Sequence, residues 1–143
     1  MAINENKPLG IKWHKFLVFC LGLGSILNII VGAITALTGI GVAVPSLAVV
    51  CVVDGALMIA LAVFGFITRK RLKGFFANGP KLLVAYYIVS LVSSLFDTIA
   101  PAIVAPDLYV MDSSMITSAI TGTIIAIAIN ASYYKKRADM FTN

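Results

Sequence analysis

The sequence predicts an all-α membrane protein: a single domain of four transmembrane helices over residues 1–143. Three observations predict it. The chain is 60% hydrophobic and only 12% charged, so its polar side chains are too few to coat a soluble domain of 143 residues. Four apolar runs of roughly 20 residues each divide it, the length an α-helix needs to cross about 30 Å of hydrocarbon. Its eleven Lys and Arg all gather at the same side of those runs.

The first run, residues 16–37, follows "KWHK". A basic head before an apolar stretch resembles a signal peptide. The stretch exceeds the usual core of about 7–15 residues, however, and no small-x-small site closes it, so a retained helix is expected. Trp13 and His14 stand at its head, where an interfacial anchor is expected. The second run, 47–67, ends at "RKR"; the third, 82–104, begins after Lys81 and contains Pro101, read as a kink; the fourth, 115–134, ends at "KKR". Backbone amides find no water partner in lipid, so each run should be a helix. Barrel strands would be shorter and would alternate apolar with polar residues.

Orientation follows from charge. The basic residues lie in the N-terminal segment (Lys7, Lys12, Lys15), in the 69–81 connection (Arg69, Lys70, Arg71, Lys73, Lys81) and in the tail (Lys135, Lys136, Arg137). Counting Glu5 and Asp139, that side carries 11 − 2 = +9, and the other carries −2 from Asp107 and Asp112. Both termini are therefore expected in the cytoplasm. The net +5 is a topology signal and not one for nucleic acid. The basic connection, with Phe75 and Phe76, is expected to face the anionic lipid surface.

A shift of 66 residues places Lys15 on Lys81, Leu17-Val18 on Leu83-Val84, "RKR" on "KKR" and Phe75 on Phe141, with 11 of 67 aligned pairs identical. Two parallel two-helix hairpins are the architecture this suggests. "RLKGFFANGPKLL" together with "YYKKRADMF" resembles the small uncharacterised four-helix membrane proteins common in bacterial genomes. The resemblance implies a bacterial inner membrane and no particular activity.

Small residues recur every four positions. The first helix has Gly24, Asn28, Gly32 and Ala36; the fourth has Ser114, Ser118, Gly122, Ala126 and Asn130. Such series are expected to be close-contact faces, within the bundle or between protomers. Ser90, Ser93, Ser94 and Asp97 share one face of the third helix by their spacing.

Two aspartates lie inside apolar runs. Asp54, in "CVVDGALMIA", is eight residues below Ser46 and so about 12 Å deep; Asp97 is eight below Ala105. Asn28 and Thr121 fall at comparable depth. Asn28, Asp54, Asp97 and Thr121, with Ser93 and Ser94, are therefore the candidate binding layer. No Lys or Arg lies in any apolar run to pair with these carboxylates. A charged Asp at mid-membrane costs about 2.5–3.5 kcal/mol. Three arrangements relieve that cost: a neutral acid that hydrogen-bonds neighbouring helices, a bound cation, or a water-filled cavity.

Other chemistry finds little support. No P-loop, dinucleotide fingerprint or nucleophile motif occurs, and His14 has no companion at metal-ligand spacing, so no catalytic residue, cofactor or metal is expected. Cys20 and Cys51 differ by about 15 Å in depth, too far for a disulfide. Small multidrug antiporters carry their key glutamate in the first helix, where this chain has Asn28. Lipoprotein signal peptidases flank two aspartates with Asn-Gly-Ala and Asn-x-x-Asp patterns, absent from "VVDGAL" and "LFDTIAP". The expectation is a small transporter or channel-like subunit handling a cation or proton. The alternatives are a non-catalytic accessory protein and, third, an intramembrane aspartyl hydrolase. Four helices rarely enclose a pathway, so the partners expected besides the lipid bilayer are further copies of the chain or another membrane protein.

Overall fold

Helix continues past every apolar run in the computed structural model, which describes residues 10–143. Glu5 and Lys7, counted in the charge balance, lie outside the described residues. Helix α1 spans Lys12–Ile40, α2 Pro45–Lys73, α3 Gly79–Val104 and α4 Ser113–Lys135, followed by one 3₁₀ turn at Ala138–Met140. All four helices are long and apolar enough to cross a membrane. The extensions have a local cause. Hydropathy marks only the apolar stretch, whereas Lys and Arg are good helix formers and carry the helix on until a breaker stops it. The breakers are Gly41 and Gly74 at the C-caps of α1 and α2. Pro45 and Pro80 sit in first turns, where a missing N–H costs nothing. Asp112 caps α4, accepting from the Ser114 amide at 2.8 Å. Pro101 lies inside α3 without ending it, as the sequence reading holds.

Connections of four, five and eight residues leave consecutive helices no choice but to run antiparallel and pack in order, α1 on α2, α2 on α3, α3 on α4. The chain ends and the 74–78 turn therefore share one end, the basic end. The 41–44 and 105–112 connections share the other.

The α1–α2 seam is the most extensive. A β-carbon on Gly32 would lie 2.7 Å from the Gly55 carbonyl oxygen and 2.9 Å from Met58 Cβ, so the backbones cross where both residues must be glycine. Ser25 meets Gly65 one heptad earlier, and Gly39 meets Ala48 and Cys51 one heptad later. The seam thus runs at sevens. Within the protomer the close contacts therefore follow the sevens and not the series of fours. At about 100° per residue, steps of four drift about 40° each, so such a series winds round the helix. Gly32 and Ala36 reach the seam, while Gly24 has open space beside it. On α4 the series starts on the free face, with Ser118 exposed and nothing beside Gly122, passes Ala126 half-buried, and reaches the interior at Asn130.

The apolar core sits at the basic end, where Leu17, Leu21, Leu72, Leu83, Tyr134 and Phe141 cluster. Toward the other end α3 buries only Ser93, and α4 buries only Asn130 and Tyr134, both near the basic end. The basic connection also differs from expectation. Arg69, Lys70, Arg71 and Lys73 are the last turns of α2, and Lys81 is in the first turn of α3. Arg69 faces inward: its Nε donates to the Val18 carbonyl of α1 at 3.1 Å. Arg71 lies over the Phe76 ring at 4.7 Å. The turn itself is a Schellman motif, with Phe76 N–H on the Arg71 carbonyl at 3.0 Å and Phe75 N–H on Leu72 at 2.9 Å. Phe75 takes the left-handed place, φ 54°, that glycine usually fills.

Candidate functional site

Asp54 precedes the glycine of the α1–α2 crossing, and that close approach draws it inside: it is 3% exposed. Its Oδ1 is buried with no hydrogen-bond partner among the described residues. Met58 and Leu61, one and two turns further along the same α2 face, open onto a cleft of about 170 Å³. Asn28 of α1 and Ser90, Ser93, Ser94 and Asp97 of α3 complete the lining. The cleft has room for a few water molecules and the polar groups to hold them. Asp97 is exposed and lines it.

Four predicted residues, Asn28, Ser93, Ser94 and Asp97, are thus brought together, while Asp54 lies buried one turn from Met58 and outside the cleft's lining. Thr121 does not join. Helix α4 turns Ile116, Ala119, Thr123, Ala126 and Ile127 toward the bundle and leaves Thr121 exposed. The layer is built by three helices and not four.

The donors are carboxylate, amide and hydroxyl oxygens, the set that suits a hard cation or an exchanging proton. Among the described residues no basic side chain lines the cleft. Among the described residues no three His, Cys, Asp or Glu gather as a metal site. Cys20 and Cys51 are free.

A second polar group sits at the basic end. His14 is 4% exposed, so it is not the interfacial anchor its position suggests. Its ring stacks on Phe75 at 4.9 Å and meets Tyr134 and Phe141 edge-on; its Nδ1 lies 3.1 Å from the Tyr134 hydroxyl. The His14 amide, an orphan donor in the first turn of α1, donates to the Tyr133 hydroxyl at 3.3 Å. Trp13 Nε1 donates to Asn130 Oδ1 at 3.0 Å, and Asn130 Nδ2 donates to the Tyr87 hydroxyl at 3.1 Å. One amide thereby ties α1, α3 and α4 together. Sequence reasoning named His14 only at the head of α1 and Asn130 only within a series of small residues, because Tyr134 and Trp13 lie 120 and 117 residues away from them. Buried Ser25 and Thr68 were missed as well, and their hydroxyls also lack partners among the described residues. The heptad from Ser25 to Gly32 to Gly39 was the signal that could have found Ser25.

No family model, curated protein or solved structure matches the chain.

Proposed function

We propose that the chain is a multi-pass protein of the bacterial cytoplasmic membrane that takes up a cation or a proton at the Asp54/Asp97 cleft, as a small transporter or channel-like subunit. The observation that carries this reading is the buried, unpartnered carboxyl oxygen of Asp54, one helical turn from Met58 in the wall of a polar cleft. A carboxyl that merely glued helices would spend its oxygens on hydrogen bonds to its neighbours. A carboxyl kept unpartnered beside a cleft retains them for a ligand. Asp97 lines the cleft and Asp54 does not, which weighs against the hydrolase alternative, since it needs both carboxyls on one water, whereas an ion or proton needs only a path from the cleft to Asp54.

The membrane reading rests on the four apolar helices and on their exposed apolar side chains, Phe19, Ile30, Val63, Val92 and Ile124 among them. In lipid these are solvated; in water they would form a patch far larger than monomers expose. The concentration of Lys and Arg at one end favours a cytoplasmic placement of that end, with both termini. A reporter fused after Asn143 should be active only inside the cell; activity only outside refutes the orientation.

The functional test is flux in proteoliposomes. Wild type should carry a proton or monovalent-cation current that Asp54→Asn abolishes while folding normally, because the amide keeps the shape but cannot ionise. Equal currents from the two would sink the reading. A second reading, an accessory subunit presenting α4 to another copy or another membrane protein, is favoured by the open space at Gly122 beside exposed Ser118. Neighbouring genes for a permease or sensor would support it.

A further inference from the structure

Two grooves open at the basic end. One, of about 280 Å³, is lined by Ile11, His14, Lys15, Val18, Lys73 and Phe75. The other, of about 410 Å³, has Ala77, Pro80, Lys81, Val84, Lys135 and Phe141 in its wall. Adding 66 to the first set gives Ala77, Pro80, Lys81, Val84, Asp139 and Phe141. Five of its six residues thus land on residues that line the second groove. The same shift carries α1 onto α3 and α2 onto α4 to within four residues at every end. It also carries the Phe75 N–H bond to Leu72 onto the Phe141 N–H bond to Ala138. Lys15/Lys81, Val18/Val84 and Phe75/Phe141 are three of the eleven identical pairs in the repeat. The faint repeat has therefore kept a lysine, an aliphatic wall and an aromatic floor in register.

Charge completes the picture. Each groove has two lysines from different helices, Lys15 of α1 with Lys73 of α2, and Lys81 of α3 with Lys135 of α4. Among the described residues no acidic side chain lines either groove. The second lysine breaks the repeat for a visible reason. The counterpart of Lys135 is Arg69, whose guanidinium is committed to the Val18 carbonyl, and Lys73 from the next turn takes its place.

We infer that the two grooves are paired binding sites for anionic phospholipid. The phosphate lies between the two lysines and an acyl chain runs along Val18 and Phe75 in one groove and along Val84 and Phe141 in the other. An apolar floor under a doubly basic mouth fits an amphiphile with an anionic head, at the depth where the cytoplasmic leaflet's head groups lie. The inference rests on the membrane reading above but is independent of what the Asp54 cleft carries.

Native mass spectrometry of the full chain in detergent tests it, with phosphatidylglycerol and phosphatidylcholine as probes. Up to two phosphatidylglycerol molecules should be retained, and phosphatidylcholine should not. A basic residue at the surface is worth about a fivefold gain in affinity for anionic lipid. Lys15→Gln with Lys73→Gln should therefore weaken one site roughly thirtyfold, and Lys81→Gln with Lys135→Gln the other, while the four Lys→Arg changes retain both. Unchanged Trp13 fluorescence in the Gln variants verifies their fold. Equal retention of the two lipids, or retention indifferent to the lysines, overturns the inference. So does displacement by inorganic phosphate, which would assign the lysines to a free anion. A chain that needs detergent yet retains no phosphatidylglycerol sinks this inference alone; a chain soluble without detergent sinks it together with the membrane reading.

Discussion

Adding one methyl group at Gly55 should open the α1–α2 crossing. The new carbon would run into the Gly32 carbonyl oxygen and lie 2.7 Å from both the Cβ and the amide nitrogen of Ala36. Carbon atoms rest at about 3.5–4.0 Å, so the helices must part locally by about 1 Å. Backbone cannot rotate away as a side chain can, which places the cost near the upper end of the 1–3 kcal/mol typical of overpacking, at about 3 kcal/mol. Against it stands the gain of about 1 kcal/mol from replacing glycine by alanine within a helix. Gly55→Ala should therefore lose about 2 kcal/mol net. Gly122→Ala is the control: nothing lies within 4 Å of its added carbon, so only the helix gain remains. The two variants should move in opposite directions, about 3 kcal/mol apart. Unfolding in dodecyl sulfate–detergent mixed micelles, followed through the chain's one tryptophan, measures both. If Gly55→Ala is as stable as wild type, or shifts in the same direction as Gly122→Ala, the crossing is not where the geometry puts it.

Asn130→Ala would leave Trp13 Nε1 and the Tyr87 hydroxyl without their partner, and should cost about 1–3 kcal/mol and shift Trp13 emission; unchanged emission would refute the bridge. Gly122→Leu should leave the protomer folded, because its side chain enters open space; loss of helix by circular dichroism would contradict that, and a changed elution volume alone would assign the face to a second copy. Ser114 donates to the Asp112 carboxylate through its amide at 2.8 Å and its hydroxyl at 2.7 Å, which holds that carboxyl below the usual range. Its folded value is thus depressed, so the cap is fully formed above the ordinary Asp value of about 3.9 and is lost as pH falls through the lower folded value. Hydrogen exchange at residues 114–117, corrected for intrinsic rates, should quicken on acidification in wild type and not in Asp112→Asn; the same pH response in both would refute the assignment.

What could be read in advance was whatever depends on residues adjacent along the chain. Hydropathy marked four helices because an apolar run is a local property. It misplaced their ends because the basic residues that flank the runs, Arg69 to Lys73 among them, are helical for reasons hydropathy does not weigh. Asp54 stood out because a carboxylate among aliphatic residues is costly wherever it points. The pairing of surfaces was less legible. Small residues at fours and at sevens both occur on α1, and only the opposing Gly55 and Gly65 decide that the sevens carry the seam. Thr121 has the right depth and the wrong azimuth, which depth arithmetic cannot detect. His14 looks like an end residue until Tyr134, 120 positions later, closes over it.

That last contact has a consequence for the nascent chain. Trp13 and Asn130 are 117 residues apart, so at about 5–20 residues per second Trp13 waits roughly 6–23 s after its own synthesis for the amide that will hold it. The α1–α2 seam needs nothing from α4 and can zip while α3 is still being made. The imidazole can stack on Phe75 in that interval, but neither it nor the indole can meet its partner on α4. Both contacts are completed only once α4 is made, so the last helix closes over the start of the first.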